Sequence, residues 1–173
     1  MTLKLTLVIL QAALGSFISP INFTSNNDKL GTLELKALRT GKIGHDYVYD
    51  LTGIKYCNKT HIKYLGVATT TKGKRYKILT TFFVFKTGKD MCHGASSIKF
   101  FTPNNKYVGG YFVSMPDYLP DELKDNKLVY SLKLGECNMR QKSSINLRPG
   151  LPKSIFLKCT EEGGDIYRFS SGD

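Results

Sequence analysis

Three histidines, four cysteines and one dense run of cations are the side chains in this chain of 173 residues whose chemistry could carry a function. His45, His61 and His93 are the candidates for proton transfer, because imidazole is the side chain whose ordinary charge change falls near neutral pH. Two imidazoles converging on a phosphodiester, with Lys59 or Lys63 stabilising the developing charge, would make a small basic ribonuclease. Isolated histidines more often have structural roles, so this enzyme is the alternative reading. Cys92 and His93 are adjacent, which suggests a thiolate beside a base. On a strand, however, neighbouring side chains point to opposite faces, and a direct pair is not expected.

Lys72, Lys74, Arg75 and Lys77 fall within six positions. They read as a contact for phosphate or sulfate, with Tyr64 and Tyr76 offering flat surfaces to a base or sugar. The plainer reading is a solvated turn whose cations discourage aggregation. Cys57, Cys92, Cys137 and Cys159 form an even set with no Cys-x-x-Cys, so no zinc site is expected. In an exported chain they would form two disulfides. Of the three connectivities, Cys57 with Cys92 and Cys137 with Cys159 is the expected one, the second pair stapling the carboxy-terminal hairpin. No phosphate-cradling glycine loop, nucleophile elbow or His-Glu-x-x-His helix occurs, and no cofactor is expected.

The elements that must position these groups are strands. RYKILTTFFVFK, residues 75–86, is the longest uninterrupted strand-forming run. It places Tyr76, Ile78, Thr80, Phe82 and Val84 on one face and Arg75, Lys77, Leu79, Thr81, Phe83 and Phe85 on the other. Gly73 supplies the positive φ for a tight hairpin back to residues 64–70. Residues 32–38 and 43–51 read as two strands around Thr40-Gly41-Lys42, with a short helix over 30–39 as the alternative. Further strands are expected over 95–102, 106–114, 128–134, 143–147, 153–159 and 165–170. Gly109-Gly110 marks a bulge or the close approach of another backbone. Residues 115–126 read as an acidic loop with one helical turn at 120–124.

About nine to eleven strands at turn spacings near ten residues predict an all-β, mainly antiparallel fold: a single-domain sandwich or barrel with at most one or two short helices. Ten Tyr, ten Phe and 16 Gly agree with that class. Residues 30–173 are expected to form the domain.

At the amino terminus, Lys4 precedes an apolar run from Leu5 to Leu14, and Ala13-Leu14-Gly15 has the small-x-small form of a cleavage site. Residues 1–15 therefore read as a signal peptide and 16–29 as a flexible leader, placing the protein in a secreted or periplasmic compartment. The alternation of Leu3, Leu5, Leu7 and Ile9 would instead make a first strand of a cytoplasmic protein. The run is too short to span a membrane. The net charge of +11 favours anionic polymers such as glycan, lipid headgroup or nucleic acid. The expected function is thus a non-enzymatic, exported binding domain acting through a basic aromatic surface on a protein or an anionic polymer. Nothing in the residues sets its oligomeric state.

Overall fold

The computed structural model describes residues 24–89, 91–131 and 135–172, with side chains described from Asp28 onward. The expected signal peptide lies outside the described residues. The chain runs α1 (Thr24–Thr40), β1 (Asp46–Tyr49), β2 (Thr60–Thr69), β3 (Arg75–Lys86), β4 (Cys92–Phe101) and β5 (Tyr107–Val113). It continues through β6 (Glu122–Lys124), β7 (Lys127–Val129), β8 (Ser144–Asn146), β9 (Ser154–Lys158) and β10 (Gly164–Ser171). Seven strands form one sheet in the order β1-β2-β3-β4-β5-β10-β9, and β6-β7-β8 form a second. Every pairing is antiparallel.

The large sheet is the middle of three layers. Ile78, Ile98, Phe100, Tyr111 and Val113 pack against Leu128 and Ile145 of the small sheet and against Tyr130 and Leu147, which directly follow its strands, forming the main core. On the opposite face Ile62, Tyr64, Leu79 and Phe101 receive Leu30, Ala37 and Leu38 of α1. β3 therefore buries both of its faces, with the division of side chains that its two-residue rhythm predicts.

Residues 32–38 are helical, which corrects the strand reading and also takes in residues 24–29 of the expected leader. Leu33 and Leu35 alternate with Glu34 and Lys36, imitating a strand. The helical stripe Leu30, Glu34, Ala37 and Leu38 is the face that becomes buried. Gly41 closes the helix: its N–H donates to the Ala37 carbonyl at 3.0 Å, and its φ of +63° is the left-handed cap conformation. A glycine with positive φ also suits a hairpin turn, so the local signal was ambiguous.

Glu34 anchors α1 to the sheet. Buried at 5% exposure, it accepts hydrogen bonds from Thr81 Oγ1 at 2.9 Å and Lys99 Nζ at 2.7 Å. The expected helical turn at 120–124 is displaced: a 3-10 turn forms at Pro116–Tyr118, and residues 122–124 are strand β6. Proline at its first position suits such a turn, since its missing N–H has no helical partner there. Near the strand expected over 128–134, β7 spans 127–129, and residues 132–134 are outside the described residues.

Cys57 is bonded to Cys92 and Cys137 to Cys159, leaving no free cysteine. The first bridge ties the 50–59 connection to the start of β4. The second joins the segment before β8 to the end of β9. These strands lie in different sheets, so the expected carboxy-terminal hairpin does not form and the bridge ties the small-sheet side to the large sheet.

Candidate functional sites

The four-cation cluster sits at the β2–β3 hairpin. Thr70 N–H donates to the Lys74 carbonyl, and Gly73, at φ +76°, turns the chain. Lys72, Lys74 and Arg75 are exposed, whereas Lys77 is half-buried and donates to Asn105 Oδ1 at 2.7 Å. Lys77 thus braces β3 to the β4–β5 turn. Tyr64 is buried against α1 and Tyr76 packs on the main core, so neither offers the open ring face expected of it.

The antiparallel order brings further turns to this same end. Thr71 N–H donates to the Arg148 carbonyl at 2.8 Å, joining the hairpin tip to the loop after β8. Thr69 N–H donates to Asn126 Oδ1 at 2.6 Å, joining it to the β6–β7 turn. The β4–β5 turn is held through Asn105. These turns add exposed Lys106, Lys124, Lys127 and Arg148 to Lys72, Lys74 and Arg75. Among the described residues none of these seven is in an ion pair, and Asp125 is the carboxylate within the turns. Tyr107, 41% exposed and tilted against Phe101 at 5.5 Å, is the aromatic surface here. Burial raises its phenol pKa, with the Glu34 carboxylate adding to the effect.

The histidines are placed apart. His45 is exposed with its ring edge-on to Tyr47 at 4.4 Å. His93 is exposed and stacks on Phe85 at 6.1 Å, on the α1 side of the sheet. His61 points from β2 to the other side. Its Nδ1 lies 2.7 Å from Asp46 Oδ2, a pairing across β1 and β2 between side chains 44% and 41% exposed.

His61 and Asp46 border a cleft of roughly 310 Å³ between the large sheet and the 116–121 loop. Lys63, Thr80 and Phe82 form its floor. Pro116, Asp117, Leu119, Pro120 and Asp121 form the facing wall. Asp121 is occupied, accepting from Ser131 N–H at 2.6 Å and Ser131 Oγ at 2.8 Å. Neither the pairing of His61 with Asp46 nor the approach of the loop is visible in local sequence, since strand registry creates the first and chain return the second. Among the described residues no cluster of His, Cys, Asp and Glu could hold a metal ion. No helix among them is long and apolar enough to cross a membrane. No protein-family model, curated protein or solved structure matches the chain.

Proposed function

We propose that this protein is a non-enzymatic, exported binding domain that grips an anionic polymer through its basic end. The carrying observation is the convergence of separate turns, which gathers Lys72, Lys74, Arg75, Lys106, Lys124, Lys127 and Arg148 with a single intervening carboxylate. Unpaired exposed cations lose little solvation until a polyanion arrives, and binding then gains entropy from the counterions it displaces. Distribution over several turns suits an extended chain of phosphates or sulfates, with Tyr107 available for stacking. The two disulfides agree with an oxidising compartment, where such bonds persist.

The ribonuclease alternative finds less support. The histidines contact different partners, and His93 and His61 lie on opposite faces of the sheet. The His61 cleft carries Asp46, Asp117 and Asp121 against Lys63, a balance that repels a phosphodiester chain.

Elution from immobilised heparin tests the proposal. The triple change Lys72→Glu, Lys74→Glu and Arg75→Glu is expected to lower the eluting salt concentration several-fold. The same changes at Lys55, Lys86 and Lys89, remote from these turns, should have a much smaller effect. Equal losses for both triplets would show attraction by net charge alone and defeat the assignment.

A further inference from the structure

The cleft beside His61 holds a combination of groups that polymer binding does not use. Lys63 lines its floor and Asp117 its facing wall, and among the described residues neither has a hydrogen-bond or ion-pair partner. The other two carboxylates are engaged, Asp46 by His61 and Asp121 by Ser131. The cleft therefore presents one open cation and one open anion, together with the apolar side chains of Phe82 and Leu119.

His61 adds direction to that arrangement. Asp46 takes its Nδ1 side, so in the neutral ring the proton resides there and Nε2 is left as an acceptor. Asp46 and Lys63 are register partners, as are His61 and Phe82, and Lys63 and Thr80. The floor is thus built on three adjacent hydrogen-bonded strands, which holds its groups more firmly than a loop would. A wall of two prolines around a 3-10 turn limits the motion of Asp117.

We infer that this cleft is a binding site for a small zwitterion with an apolar body, an amino acid or short peptide. Its ammonium group pairs with Asp117, its carboxylate with Lys63, and its side chain lies on Phe82 and Leu119. The volume of roughly 310 Å³ is at the lower end of small-molecule pockets and suits a ligand of that size. The three carboxylates disfavour a polyanion in the same space. The site is consequently independent of the basic end, and either assignment can fail without the other.

NMR of the histidine rings in the disulfide-intact protein tests the inference. The three ring signals are assigned with His45→Gln and His93→Gln, neither of which lines the cleft. Titration with glycyl-phenylalanine and separately with phenylalanine should shift the His61 signals saturably, with a Kd of about 1 mM or tighter for at least one of them. The tighter arm identifies a peptide or an amino acid as the ligand form. N-acetylglycyl-phenylalanine, which lacks the ammonium, and glycyl-phenylalaninamide, which lacks the carboxylate, should each bind about tenfold more weakly than the dipeptide. If phenylalanine is the tighter ligand, N-acetylphenylalanine and phenylalaninamide take their places. Asp117→Asn should reproduce the first loss and Lys63→Met the second, while Lys63→Arg retains binding. No saturable shift from either probe, undiminished binding of the blocked compounds, or shifts confined to His45 and His93 would overturn the inference.

Discussion

At the scale of single residues, the interior is sensitive where a polar atom is held by one partner. Tyr111 is fully buried, and its hydroxyl donates to the Pro152 carbonyl at 2.6 Å, tying β5 to the loop before β9. Tyr111→Phe should cost about 1–2 kcal/mol in chemical denaturation, from the lost bond and the carbonyl left without it. Burial also raises the phenol pKa values of Tyr111 and Tyr130 well above their ordinary value of 10.0. A folded pKa above the unfolded one stabilises the protein fully below pH 10 and loses that stabilisation as pH rises beyond it. The urea midpoint should therefore fall between pH 9 and pH 11, and a flat profile across that interval would contradict the burial of these phenols. The same contrast between local and long-range effects appears in what the sequence discloses. Gly109 and Gly110 were readable as a close approach, and side chains there would meet the Ser170 and Ile98 carbonyls. The pairing of His61 with Asp46 was hidden, because 15 residues and a strand registry separate them.

At the scale of elements, α1 shows how a buried ion pair can orient a helix. Lys99 is 17% exposed and Glu34 less so, and Thr81 supplies a further bond to the same carboxylate oxygen. Removing one member leaves a partly buried charge without its partner, so Glu34→Ala should destabilise the fold by about 3 kcal/mol in urea titrations. A loss below about 0.5 kcal/mol would mean that apolar packing alone holds α1. The faces of β3 were legible, since one side chain rhythm persists for 12 residues without interruption. α1 was harder to read because Leu33, Glu34, Leu35 and Lys36 alternate as a strand would, and only contact with the large sheet selects the other periodicity. The 3-10 turn at Pro116–Tyr118 was misplaced for a related reason. Both Pro116 and Pro120 are followed by an acid, and the local chemistry marks either one as a start.

At the scale of the whole molecule, covalent closure and charge distribution are the two features that govern behaviour in solution. The bridges close sequence separations of 35 and 22 residues, and each should contribute about 3 to 4 kcal/mol by restricting the unfolded chain. Thermal unfolding with and without a reductant checks this: the midpoint should fall substantially on reduction, and an unchanged midpoint would remove the bridges from the stability argument. The pairing agrees with the one expected, but the reason for its second member differs, since β8 and β9 belong to different sheets and form no hairpin. The basic end was visible only in part, because Lys106, Lys124, Lys127 and Arg148 join Lys72, Lys74 and Arg75 through the strand order and not through closeness in sequence. That gathering makes a quantitative claim about counterions. The dissociation constant for a heparin oligosaccharide should be measured over a range of salt concentrations for the wild type and for the Lys72→Glu, Lys74→Glu, Arg75→Glu variant. A steep linear fall of log affinity with log salt in the wild type, with a slope reduced by about two to three units in the variant, is the predicted result. A shallow slope, or one that the three changes leave unaltered, would contradict the assignment of the polymer site to this end of the fold.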